Sequence, residues 1–287
     1  MKKALIGLAA AAVAAASAMA FTACDNTDKI YVATNVPFAP FEYEDLETGN
    51  IIGVDVDIMN KVGEKLGKKV QFDNMQFEYI LDNVSTGKQY DCGAAGLTIT
   101  DERKELVDFS NPYFESVQYV VYKDGAFTAD QIKKDGETSY VLWDELAGSK
   151  IGVQRNTTGD IYVSDEINAK NGVDGYDFDG VLYGTGATCT PYDDVMVAVQ
   201  AINSKAVDVV VIDKLPAQYV VENSTGYSCV ALYYAGEDGE ADEPTSEKYA
   251  IAVTKGNTEL LNAINEVLAE LGESGINELV SKYLGIK

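Results

Sequence analysis

Along this chain, strand-like and helix-like segments alternate, stop and then start again, and few folds satisfy that order. Lys29–Thr34 is β-rich, and residues 55–66 then place Ile58, Met59, Val62 and Leu66 at helical spacing. Lys69–Phe72 reads as a strand, Phe77–Thr86 as a short helix ended by Gly87, and Cys92–Thr98 as a buried strand. The rhythm resumes with a strand at Lys150–Val153, a helix at Thr158–Ala169 and a strand at Phe178–Tyr183. A helix at Asp193–Asn203, an apolar strand at Val207–Ile212 and a helix at Leu215–Val221 follow. Thr258–Leu271 closes the series with Leu260, Leu261, Ile264, Val267, Leu268 and Leu271 at amphipathic spacing. Alternation of this kind predicts α/β architecture: two lobes, each a mostly parallel sheet flanked by helices.

Two β-rich stretches, Gln118–Lys123 and Tyr249–Thr254, fit neither series and suit a two-strand hinge. The expected division is 29–117 with 254–287 for the first lobe and 118–253 for the second, with hinge strands at 118–123 and 249–254. Ligands collect beyond the carboxyl ends of strands in open α/β sheets, so two facing lobes predict a cleft.

The N-terminus reads as an export signal over 1–23: Lys2 and Lys3 precede an apolar run from Ala4 to about Ala16. Two processing sites compete. Ala18-Met19-Ala20 fits ordinary cleavage. Phe21-Thr22-Ala23-Cys24 resembles a lipobox, with Phe21 in place of the usual aliphatic residue, and would make Cys24 the lipidated first residue ahead of a polar linker over 24–28. The lipobox reading is favoured, because Cys24 stands alone directly before that linker. Nothing after residue 24 is apolar enough to span a membrane.

The sequence contains no histidine, which excludes Ser-His-Asp and Cys-His catalysis and His-based zinc sites. Its four cysteines form no Cys-x-x-Cys pair, so no metal is expected. Cys92 reads as a core residue, and Cys189 and Cys229 could be bridged or free. A net charge of −24 argues against nucleic acid as a partner. The acidic run at 236–243 reads as a solvated loop, and neither it nor Asp177–Gly180 has the spacing of a calcium loop.

Candidate binding residues cluster at strand ends. Gly96 permits close backbone approach, Thr98 offers a hydroxyl, and Arg103 lies about one turn after Thr100 at a helix start, where a guanidinium can clamp a carboxylate. Val153–Asp160 runs from a strand into a helix start, a place that favours anions, with simple capping by Thr157 or Thr158 as the alternative. Asp213 at the tip of an apolar strand suits an ammonium group or, alternatively, caps the next helix. Phe38, in a Pro-braced turn, either covers an apolar ligand face or packs inside.

Gly53–Val62, Pro40-Phe41-Glu42-Tyr43, Thr98–Arg103, Asp108-Phe109-Ser110 with Tyr113-Phe114, and Gly152-Val153-Gln154 followed by Thr157-Thr158-Gly159 share one order and spacing. Together they resemble the family 3 bacterial extracellular solute-binding proteins, across essentially the whole chain after the signal. The resemblance implies the two-lobed type II periplasmic-binding-protein fold and a non-enzymatic protein that hands a free amino acid to an ABC importer. It implies no cofactor, and a monomer held at the extracytoplasmic face of the membrane by its lipid. Residue by residue, it puts the carboxylate clamp on Arg103 and polar contacts on Ala95, Gly96 and Thr98. The helix-start contact falls on Thr158, the side-chain selector on Gln154, the ammonium partner on Asp213, and the first-turn contacts on Asn35 and Phe38. Val54 departs from the pattern, because many members carry an aromatic there that sandwiches the ligand. The expected ligand is a polar or neutral amino acid. The rival readings are an exported dehydratase of cyclohexadienyl substrates on the same fold and a feeder protein for a sensory receptor.

Overall fold

The computed structural model describes residues 29–236 and 241–285. The signal expected over 1–23, Cys24 and the linker expected over 24–28 lie outside the described residues, as does 237–240 of the acidic run. That run leads into the strand Ala241–Pro244.

The first lobe is built on a five-stranded sheet ordered Lys69–Asn74, Lys29–Thr34, Cys92–Gly93, Ala252–Val253 and Asp108–Phe109. Its first three strands are parallel, as helical crossovers require. Ala252–Val253 returns from the other lobe without a crossover helix and therefore pairs antiparallel. Helix Val54–Leu66 covers one face with the C-terminal helix Thr258–Leu284, burying Ile58, Met59 and Val62 with Leu260, Ile264 and Val267. Helix Ile80–Thr86 covers the other face through Ile80 and Val84. The C-terminal helix runs past the expected Leu271, with a break at Gly272 (φ 57°, ψ −176°).

The second sheet runs Thr188–Tyr192, Lys150–Gln154, Val209–Asp213, Phe114–Lys123, Tyr227–Ala235, Thr138–Leu142 and Lys133–Asp135. Strands 188–192, 150–154 and 209–213 are parallel, and Phe114–Lys123 enters antiparallel because it also arrives directly from the first lobe. Each lobe is thus a parallel set completed by antiparallel strands at the crossing.

The crossing lies earlier on each segment than the hinge expected at 118–123 and 249–254. Residues 118–123 sit deep in the second sheet, between 209–213 and 227–231. Ala252–Val253 sits in the first sheet. The ladder between the sheets is Phe114–Val117 against Ser246–Tyr249. Apolar richness marked the sheet interior, where Val120 and Val121 are fully buried. The crossing ladder alternates polar and apolar residues and gave a weaker signal.

Two further expectations change. Residues 178–183 form turns and leave Phe178, Val181 and Tyr183 substantially exposed, and the strand there is the polar Thr188–Tyr192, whose Pro191 is tolerated at a sheet edge. The strand expected at 92–98 ends after Gly93, because Gly96 takes a left-handed turn (φ 54°). Cys92, Cys189 and Cys229 are free thiols. Three strands separate Cys189 from Cys229, and at about 4.8 Å per strand the pair is far beyond the roughly 7 Å that a disulfide tolerates. Among the described residues no helix is long and apolar enough to cross a membrane.

Candidate ligand cleft

The nine predicted contact residues are all buried, and most of them converge between the lobes. On the first wall, Thr100 caps the helix Asp101–Leu106 by accepting the Arg103 amide at 3.2 Å. The Arg103 guanidinium donates through Nη1 to the Thr98 carbonyl and through Nη2 to the Asn156 carbonyl of the other lobe, both at 2.8 Å. The Phe77 ring lies 5.6 Å from it. Burial pulls the Arg103 pKa down, countered by the charges of Glu247, Asp213 and Glu102.

On the second wall, strand Lys150–Gln154 delivers Gln154, whose Nε2 donates to Asn35 Oδ1 at 2.7 Å. Asn35 in turn donates to the Met75 carbonyl at 2.8 Å. Thr157 is the cap of helix Thr158–Asn168, accepting from the Asp160 amide. Thr158 is thereby free of capping, and its Oγ1 stands 3.5 Å from that of Thr98.

Asp213 ends strand Val209–Asp213 and makes no side-chain cap for helix Lys214–Asn223. Its Oδ1 has no hydrogen-bond partner although it is buried. Burial, and then the charge of Glu247, push its pKa well above the ordinary carboxylate range. A buried, unpartnered carboxyl oxygen opposite a buried guanidinium is an arrangement that a zwitterion can complete.

Gly96 does not offer the expected close approach to a ligand. The Phe38 ring fills that space, so that a Cβ on Gly96 would lie 2.7 Å from Phe38 Cε1, and the Gly96 amide donates to Asp55 Oδ2 at 3.0 Å. The Ala95 side chain belongs to the first lobe's core cluster with Ile80, Val84 and Leu97.

The sequence reading missed Glu247. It is 2 % exposed and sits on the crossing ladder, where it accepts from Thr98 Oγ1 at 2.9 Å and from Gln118 Nε2 at 2.7 Å. The alternation Ser246-Glu247-Lys248-Tyr249 held the signal: Glu247 shares the inward face with apolar Tyr249, while Lys248 faces out. Further cross-lobe contacts, Gln76 Nε2 to Asp193 Oδ2 at 3.2 Å and Arg155 to Glu78 at 3.7 Å, hold the walls together. Beside Arg103, a cavity of about 640 Å³ is lined by Phe77, Leu81, Glu102, Ile161 and Tyr162. No group of three or more His, Cys, Asp or Glu among the described residues could hold a metal ion.

Residues 30–286 match the bacterial extracellular solute-binding proteins, family 3. The chain is 30 % identical over 290 residues to a protein of Neisseria gonorrhoeae described as a probable histidine-binding protein, covering 95 % of this chain and 94 % of that one. It is 32 % identical, with a TM-score of 0.69, to the solved structure of an ancestral arginine-binding protein bound to glutamine, covering 90 % of this chain and 98 % of that one. It is 26 % identical, again with a TM-score of 0.69, to the ancestral amino-acid-binding protein AncCDT-1, a precursor of cyclohexadienyl dehydratase, covering 90 % and 96 %. The two-lobed α/β architecture, the closed cleft and the match along nearly the whole chain lead to one conclusion: this protein belongs to the family 3 bacterial extracellular solute-binding proteins.

Proposed function

We propose that this protein captures a free α-amino acid outside the cytoplasm and delivers it to an ABC importer, as a monomer tethered by a lipid on Cys24. The observation that carries the reading is the pairing of Arg103 on one wall with Asp213, whose Oδ1 is buried and unpartnered, on the other. Arg103 takes the ligand carboxylate, and Thr98 and Thr158 add hydroxyls. Asp213 takes the ammonium, and Gln154 and Asn35 reach the side chain. The protein acts as a clamp without a chemical step. Because the contacts come from both lobes, the ligand binds the closed form better and shifts the population toward it. Phe114–Val117 and Ser246–Tyr249 serve as the hinge.

Glu247 revises the expected ligand charge. Two buried acids, Asp213 and Glu247, stand with one buried guanidinium, Arg103, so a ligand with an additional positive charge finds a second acidic partner that a neutral zwitterion leaves unused. A cationic amino acid is therefore the preferred cargo, which accords with the histidine- and arginine-binding relatives. Titration calorimetry with arginine, lysine, histidine and glutamine tests this, and tight binding of glutamine alone would refute the cationic assignment. A second reading draws on the raised pKa of Asp213, which would suit an acid catalyst, together with the likeness to a dehydratase precursor. Turnover of a cyclohexadienyl substrate would favour it over the binding role.

A further inference from the structure

The turn that carries Thr98 and leads to the helix of Arg103 is held from behind by a carboxylate outside the cleft. Asp55, the second residue of helix Val54–Leu66, is fully buried. Its Oδ2 accepts the Gly96 amide at 3.0 Å and its Oδ1 accepts the Tyr113 hydroxyl at 2.5 Å. Tyr113 immediately precedes the crossing strand Phe114–Lys123. One side chain thus joins a helix start, the turn leading into the binding wall, and the start of the ladder between the lobes. The turn itself has little slack, because Gly96 is left-handed and pressed against Phe38.

The ionisable groups facing Asp55 are Tyr113 and Glu42. Glu42 is also fully buried, and neither of its carboxylate oxygens has a hydrogen-bond partner. Lys282 is occupied by Asp57. Burial, and then the charge of Asp55, raise the Glu42 pKa well above the usual range. Burial raises Asp55 to about 6, and the Tyr113 and Gly96 bonds pull against that rise. Above that pH Asp55 is the anion, and its two bonds are charge-assisted.

We propose that Asp55 is a positioning residue for ligand capture: its carboxylate locks the Gly96–Thr98 turn to Tyr113 and so sets Thr98 and Arg103 in register with the opposite wall. The inference rests on the cleft reading above, but its mechanical part can be tested without any ligand. Protonation of Asp55 weakens both bonds, so ligand affinity falls on acidification. Fold stability moves the opposite way, since a buried carboxyl with a raised pKa favours the folded state when protonated. A purely structural role would not give opposite signs.

The test uses the exported chain, with Asp55→Asn and Tyr113→Phe variants. Arginine affinity of the wild type is expected to fall about fivefold between about pH 7.5 and 5, with a component centred near 6. Asp55→Asn should lack that component while keeping any titration from Asp213. Tyr113→Phe, which removes only the hydroxyl, should move the component to higher pH. In the ligand-free protein, amide exchange over residues 94–100, corrected for intrinsic rate, should be about fivefold faster in Asp55→Asn than in wild type. Unchanged exchange in both variants would overturn the proposal, as would a component near pH 6 that survives in Asp55→Asn. If exchange behaves as expected but the wild type binds no amino acid, the positioning role stands and the cleft's assigned ligand is wrong.

Discussion

Arg103 and Asp213 stand on opposite walls and are assigned opposite ends of the ligand, so the loss of either should weaken binding. Arg103→Ala removes charge-assisted bonds worth roughly 1.5–3 kcal/mol each, and affinity should drop about a hundredfold or more by calorimetry. Asp213→Asn keeps the shape and removes the charge opposite the ammonium; affinity should again fall, by roughly 3–5 kcal/mol, because the ligand's charge is then buried unpaired. Wild-type affinity in either variant would remove that residue from the site. The placement of Arg103, Thr158, Gln154 and Asp213 between the lobes was legible because each stands at a strand tip or helix start, where the backbone presents a side chain to a cleft. Glu247 was not, because a single acid in a short polar strand looks like a solvated face until the ladder pairing turns it inward. Ala95 was carried over by resemblance alone, and its methyl group belongs to the core.

Helix Thr158–Asn168 divides its first two hydroxyls between structure and binding. Thr157 caps the helix, and Thr158, one residue on, meets Thr98 across the cleft. Thr157→Ala should cost about 1 kcal/mol of stability, measured by denaturant titration, with little change in affinity. Thr158→Ala should weaken binding severalfold and barely affect stability. The reverse pattern would mean that the cap has been placed one residue off. Helices were the elements best read from sequence, since 3.6-residue periodicity survives over ten or more positions. The failures were short strands. Thr188–Tyr192 carries two threonines, a cysteine and an edge proline, so nothing in its pattern outranked the more apolar 178–183. The true crossing ladder was overlooked beside the apolar core strand that continues it.

Across the whole molecule, buried acids set the response to pH. Asp55 is raised to about 6, and Glu42 and Asp213 are raised well above the usual range. A group raised in the folded state stabilises it below the unfolded carboxylate range, near pH 4, and that stabilisation is lost as pH rises through the folded value. For Asp55 alone the span corresponds to about 3 kcal/mol. Thermal unfolding is therefore expected at a higher temperature near pH 5 than near pH 8, and relief of self-repulsion in a chain with net charge −24 acts in the same direction. A flat or opposite profile would show these carboxyls to be solvated. The two-lobed plan was readable from the restarted strand–helix rhythm, but lobe closure was not, because it depends on pairs such as Gln154–Asn35 and Arg103–Asn156 that are distant in sequence. The central claim, a clamp for a free amino acid with charge read from both walls, is tested most directly by titrating arginine, histidine and glutamine into the wild-type protein in a calorimeter. One-to-one binding, tighter for the cationic ligand by tenfold or so, is the expected result; no heat with any amino acid would contradict the account.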